Sequence, residues 1–168
     1  MPLDPDFSLG TVAVALSPAE RFAEFLRTRG KRITKQRRAI VDHVAGRHEH
    51  FDAEQLLADL RTTRAGAVAS RPTVYRTLSE MVDAGLLNKM VLDGRAVYEH
   101  DYGYPRHDHL YCTGCRRLIE FSSAEVAKIC DAVAASHQFR ARSHRLIVSG
   151  LCVDCRTSKR RTRHQDRV

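Results

Sequence analysis

Four of the five cysteines in this chain of 168 residues fall in two Cys-x-x-Cys pairs, Cys112/Cys115 and Cys152/Cys155, with 36 residues between the pairs. Thiolates two residues apart can share one metal, and two such pairs fill a tetrahedral zinc shell. A shell closed by four thiolates has no open position for substrate. The pattern therefore predicts a structural zinc whose binding supplies folding free energy directly. It also gathers the last third of the chain into an α/β unit of about 50 residues, small for independent stability, which needs metal, a partner subunit, or both.

The reading as zinc ligands depends on a reducing compartment, where close-spaced cysteines hold metal more often than they pair as disulfides. No apolar run approaches the roughly 20 residues of a membrane span. Asp4 and Asp6 precede any basic residue, unlike the start of a signal peptide. A soluble cytoplasmic protein is expected. Cys130 is left over; it shares a helical pattern with Val126, Ile129 and Val133 and is expected to be a small buried hydrophobe.

The net charge of +8 is unevenly placed. Residues 21–38 hold eight Lys/Arg against one Glu, and the tail 156–168 holds six against one Asp, so the remainder is mildly acidic. Two concentrated basic segments point to an anionic polymer as partner.

Along the chain, residues 1–16 lack periodicity and read as a loosely ordered arm. Ser17-Pro18 opens a first helix with Phe22, Phe25 and Leu26 on its apolar face, ending at Gly30. Thr34 caps a second, with Ile40, Val41 and Val44 inward, which Gly46 ends. Asp52-Ala53-Glu54-Gln55 has the form of a capping box before Leu56, Leu57 and Leu60. Ser70-Arg71-Pro72 opens a fourth helix whose buried face is Val74, Leu78, Met81 and Val82, closed by Gly85. Strands over 86–92 and 95–98 follow, joined by Asp93-Gly94, the pair a two-residue type I′ turn favours. Helices followed by a hairpin spell a winged helix-turn-helix over 17–99. A Gly-, Pro- and Tyr-containing linker follows at 100–106. Beyond it, short strands at 110–112, 118–121 and 143–149 and a helix capped by Ser122 with Glu125 complete the unit over 107–155.

His107-Asp108-His109 stands just before the first cysteine pair. In an extended segment His107 and His109 share one face, and Asp108 points to the other. Two imidazoles on one face can share a metal, with His50, Glu99 and Glu120 as candidates for further ligands. That mixed nitrogen and oxygen set suits Fe(II), Mn(II) or Zn(II). A zinc-dependent hydrolase using His107, His109 and Glu120 around an activated water is the rival from another class. No helical His-Glu-x-x-His motif supports it, and a non-enzyme is expected.

Several motifs occur together in order: Ser-Arg-Pro-Thr-Val-Tyr-Arg-Thr-Leu at 70–78, Asp83-Ala84-Gly85-Leu86, Tyr98-Glu99, His107-Asp108-His109-Leu110-x-Cys-x-x-Cys, Ile119-Glu120-Phe121, His144 and Gly150-x-Cys152. In this combination the chain resembles the ferric uptake regulator family of metal-responsive repressors over about residues 20–155. The resemblance implies a homodimer with N-terminal winged-helix domains and C-terminal dimerisation domains, binding palindromic AT-rich operators in double-stranded DNA when loaded with metal. It implies that Cys112, Cys115, Cys152 and Cys155 hold the structural zinc. It assigns the regulatory site to His50, Glu99, His107, His109 and Glu120, tying the DNA-binding domain and hinge to the dimer domain.

Departures from the family pattern bear on the metals. Arg106 and Ala127 stand where many relatives carry a His and a Glu of a further metal site, leaving Asp108 and His144 as its possible members. The linker between Glu99 and His107 is one residue longer than in the relative compared. No extra Cys of the zinc sensors is available, and Glu99 and Glu120 stand where peroxide sensors use Asp. Iron is thus expected, with manganese second and zinc or peroxide sensing as further alternatives. For DNA, Tyr75 and Arg76 resemble the family's major-groove residues and Arg32 occupies the place of its minor-groove Lys. Arg37, Ser70 and Thr73 are expected at the phosphate backbone, at a helix N-terminus suited to anions.

Overall fold

A computed structural model describes residues 12–47, 49–62 and 69–157, so the expected arm before residue 12 and the basic tail from 158 lie outside the described residues. The chain divides into two compact units, Thr11–Tyr104 and a second whose described part runs over 105–157. No helix among the described residues is long and apolar enough to cross a membrane.

The N-terminal unit packs four helices, α1 (Pro18–Thr28), α2 (Lys35–Ala45), α3 (Ala53–Thr62) and α4 (Arg71–Asp83), with the hairpin β1 (Leu87–Leu92) and β2 (Arg95–His100). Ser17 and Glu20 form a reciprocal capping box, which satisfies two backbone donors at the start of α1. Asp52 and Gln55 exchange equivalent bonds of 2.8 Å each way before α3. Gly30, at φ +67°, allows the Lys31 N–H to turn back onto the Leu26 carbonyl at 2.8 Å. Phe22 and Leu26, Ile40, Val41 and Val44, Leu56 and Leu60, and Val74 and Leu78 meet in one core. Each such side chain withdrawn from water contributes about 1.5–3 kcal/mol.

The hairpin pairs Leu92 with Arg95 across Asp93 (φ 49°) and Gly94 (φ 75°), the two positive angles of a type I′ turn. Its second strand runs two residues past the expected Tyr98. The buried face of α4 also differs from expectation. Val82 is half-buried, whereas Thr77 and Glu80 are buried beside Val74, Leu78 and Met81. Glu80 is tolerated there because Lys31 and Arg37 reach its carboxylate.

The C-terminal unit contains β3 (Asp108–Cys112), β4 (Leu118–Phe121), α5 (Ala124–Ser136) and β5 (Ile147–Gly150). Its sheet has the order β4-β3-β5, antiparallel between β3 and β4 and parallel between β3 and β5. The fold is α+β, with an N-terminal winged-helix unit and a small α/β unit. Ser123, not Ser122, caps α5: its hydroxyl accepts from Val126 N–H and donates to Glu125. The last strand starts at Ile147 instead of 143, because the Leu146 N–H is taken by the Asp108 carboxylate. Cys130 is half-buried, not buried, since α5 has no fully buried residue; Ile129 and Val133 are 64% and 56% exposed.

Candidate functional site

The four cysteines converge through the parallel pairing of β3 and β5. Cys112 lies opposite Gly150 at the strand ends, so the chain after each strand enters the same space. A tight turn after Cys112, closed by Arg116 N–H on the Cys112 carbonyl at 2.7 Å and Cys112 N–H on the Arg117 carbonyl at 2.9 Å, presents Cys115. All four sulfurs lie within 4.8 Å of one another, and Cys115 and Cys152 are 3.8 Å apart. A tetrahedron with Zn–S bonds of about 2.3 Å has edges of about 3.8 Å, so the donor set fits zinc in chemistry and in size.

Gly114 is a necessity of this packing that spacing alone did not disclose. A Cβ at Gly114 would stand 2.9 Å from both Cβ and Sγ of Cys155 and 3.2 Å from Leu151 Cδ2. The cluster also polarises its own thiols. Backbone N–H groups, first that of Cys152 at 3.3 Å, pull the Cys112 thiol down to about 6. Hydrogen bonding to Cys152 and desolvation push Cys155 up to about 12.

One face of the same sheet carries a second donor set. His109 pairs across strands with Glu120, and His107 lies two residues earlier. The ligand atoms of His107, His109 and Glu120 lie within 4.8 Å of one another. His107 Nδ1 is 2.9 Å from the Pro105 carbonyl, which holds the proton on Nδ1 and leaves Nε2 as the donor to a metal. Glu120 approaches that Nε2 at 3.9 Å, and the two imidazole centroids are 4.9 Å apart. His109 is fully buried.

Asp108 faces the other way, as alternation requires. Its Oδ1 accepts the Leu146 N–H at 2.8 Å and its Oδ2 lies 3.4 Å from His144 Nε2. Asp108 and His144 are thus together, and the carboxylate also ties the segment leading into β5 to β3.

In the N-terminal unit, His50 Nε2 lies 3.1 Å from Glu99 Oε2, with Glu99 5% exposed. A nitrogen and a carboxylate oxygen at this separation are a further pair of metal-competent donors.

The N-terminus of α4 offers the groups expected at DNA. Arg76 and Arg32 are exposed, and Tyr75 is 43% exposed, so its ring is not part of the core. The Tyr75 hydroxyl donates to Glu54 Oε1 at 2.8 Å, and Arg71 pairs with the same carboxylate. Ser70 makes no side-chain cap; its hydroxyl lies 2.9 Å from that of Thr73. Arg37 turns inward, its guanidinium donating to the Arg32 carbonyl at 2.9 Å and to Glu80 at 3.1 Å. Glu54 and Glu80 were not singled out from sequence, where neither is distinguishable from an ordinary exposed helix glutamate.

Comparison with known proteins adds the lineage. Residues 28–149 match the ferric uptake regulator family. The ferric uptake regulation protein of Rhizobium leguminosarum bv. viciae is 35% identical over 134 residues, covering 79% of this chain and 92% of its own. The crystal structure of the Vibrio cholerae ferric uptake regulator is 30% identical with a TM-score of 0.64, covering 77% and 98%. A zinc-bound manganese uptake regulator is 33% identical with a TM-score of 0.57, covering 82% and 100%.

Proposed function

Because the chain belongs to the ferric uptake regulator family, whose members are metal-responsive transcriptional regulators, we propose that it is an Fe(II)-sensing repressor acting as a homodimer on palindromic AT-rich operators. The observation that carries this reading is that each unit holds its own preassembled set of metal donors: His107, His109 and Glu120 in one, His50 and Glu99 in the other. Mixed nitrogen and oxygen donors suit Fe(II), and the fifth cysteine, Cys130 on α5, belongs to neither donor set.

In this mechanism Cys112, Cys115, Cys152 and Cys155 would hold a structural Zn(II), which would anchor the end of β3. In this reading His50 and Glu99 of 17–99 would hold the regulatory ion together with His107, His109 and Glu120 of 107–155, on either side of the linker 100–106. A ligand shifts an equilibrium only through differential affinity. An ion held by both sets would bind the joined form more tightly than the separated one, and so would select the spacing of the two reading heads in the dimer. His107 contributes Nε2, held by the Pro105 carbonyl. Asp108 and His144 form a possible further metal site, with only part of the family's donors.

The dimer reading is supported by an uncovered apolar surface on the C-terminal unit. A groove lined by Leu110, Tyr111, Ile119, Val148 and Leu151 lies on the sheet, and Ile129 and Val133 of α5 are exposed as well. Apolar surface of this kind marks an interface. The DNA reading is supported by exposed Arg76, Tyr75 and Arg32, with Ser70 and Thr73 at the α4 terminus and Arg37 behind Arg32.

Manganese in place of iron is the second reading, favoured by the likeness to the manganese uptake regulator. Gel shifts of an AT-rich palindrome with Fe(II), Mn(II) or no added metal test both. A shift at lower Fe(II) than Mn(II) is expected; the reverse order selects manganese, and no shift with any metal refutes the repressor.

A further inference from the structure

We propose that Glu80 is a positioning residue for DNA recognition, a buried strut on α4 that holds the α1–α2 connector so that Arg32 is presented in register with Tyr75 and Arg76. Glu80 is only 5% exposed although it lies one helical turn beyond the exposed Arg76, on nearly the same side of α4, because Lys31 and Arg37 cover it. Its carboxylate receives Lys31 Nζ at 2.8 Å and the Arg37 guanidinium at 3.1 Å. The other arm of that guanidinium donates to the Arg32 carbonyl at 2.9 Å. A continuous chain of charge-assisted bonds therefore runs from the reading helix to the backbone of Arg32 itself. Asp83, three residues on, adds a second tie to Arg29 at 3.1 Å, at the other end of the same turn.

A carboxylate withdrawn from water is retained only when paired, and its planar partner Arg37 fixes direction as well as distance. Lysine in place of Arg37 could not reach both acceptors as a fork. Backbone bonds tie Arg29, Gly30 and Lys31 back to the last turn of α1, and beyond them the Arg37 guanidinium holds the Arg32 carbonyl, so that side chain decides how Arg32 is presented.

The inference rests on the reading of Arg32 as a DNA contact and goes beyond it, and its test separates the two. Simple electrostatics and positioning predict opposite signs. If Glu80 merely competed with DNA for Lys31 and Arg37, Glu80→Gln would free two cations and tighten binding to any duplex. If it positions Arg32, Glu80→Gln weakens operator binding and leaves non-operator binding unchanged or stronger. The measurement is fluorescence anisotropy of the metal-loaded full chain on an operator selected from a randomised duplex pool and on an unrelated duplex of equal length. The operator to non-operator affinity ratio is expected to fall about tenfold in Glu80→Gln. Arg32→Ala should lower the ratio in the parent chain and have little further effect in Glu80→Gln. Equal tightening on both duplexes, an unchanged ratio with only a lower Tm, or additive effects of the two substitutions would each overturn the strut. Loss of the Arg32→Ala effect in the parent chain would refute the Arg32 contact itself, and the strut with it.

Discussion

His50 stands 3.1 Å from Glu99, although 49 positions separate them, because a single antiparallel bridge joins Phe51 to Tyr98. Phe51 N–H and Tyr98 N–H each donate to the other's carbonyl, at 3.1 and 2.8 Å, and the two rings stack at 5.8 Å. The next pair outward is His50 and Glu99, so the aromatic pair sets the position of the donor pair. Phe51 and Tyr98 are in the core while His50 is not fully buried. Replacing His50 by Ala is therefore expected to leave the unit folded and to raise the Fe(II) concentration needed for operator binding by at least about tenfold. Metal titrations of operator affinity, alongside thermal melting, check this; an unaltered metal response would remove His50 from the regulatory set.

Gly114→Ala is expected to damage the zinc cluster without touching a ligand. The added methyl collides with Cys155 Cβ and Sγ at 2.9 Å, so one sulfur must leave its tetrahedral position. Zinc content per chain should fall, or the zinc should be lost to a chelator at least about tenfold faster. Full retention at the parent rate would show that the turn yields.

Removing the zinc should unfold the C-terminal unit and spare the N-terminal one. Among the described residues, the buried apolar side chains of the C-terminal unit are Tyr111 and Cys112, whereas the other unit has a core drawn from all four helices and the hairpin. Hydrogen exchange after chelation should show loss of protection in β3, β4 and β5 and none in α2 or α4. Uniform loss across both units would contradict this.

Arg32 and Arg37, five residues apart, should fail in different ways. Arg32 is exposed, and Arg32→Ala should weaken operator binding more than non-operator binding while lowering the operator salt slope by about 1, since a cation in the minor groove both reads the groove and displaces a counterion. Arg37 is turned to Glu80, and Arg37→Ala should cost on the order of 2 kcal/mol of stability by leaving a buried carboxylate short of a partner. Denaturant melts and binding at several salt concentrations distinguish the two. Equal stability losses would show that the side chains share one role.

What could be read from residues alone was whatever is decided within a few positions along the chain. The Ser17-Pro18 helix start, the Asp52–Gln55 box, the Asp93-Gly94 turn and the inward faces of α1, α2 and α3 follow from hydrogen bonds and periodicities that span one or two turns. So does the alternation that sets His107 and His109 on one face and Asp108 on the other. The four cysteines were legible for a different reason, since thiolate chemistry admits few alternatives whatever the intervening fold.

The tertiary structure decided what depends on partners distant in sequence. Whether Ser122 or Ser123 caps α5, and whether the last strand begins at 143 or at Ile147, turned on which side chain captured a particular backbone N–H, Val126 in one case and Leu146 in the other. His50 became the neighbour of Glu99 through one long-range bridge, and His109 the neighbour of Glu120 through strand register. Glu80 illustrates the limit most directly. By composition it belongs on a solvated face, yet Lys31 and Arg37, brought over α4 by the packing of α1 and α2, compensate its charge well enough for it to be buried. The free energy of a buried charge is set by its neighbours in space, and no spacing rule along the chain contains that information.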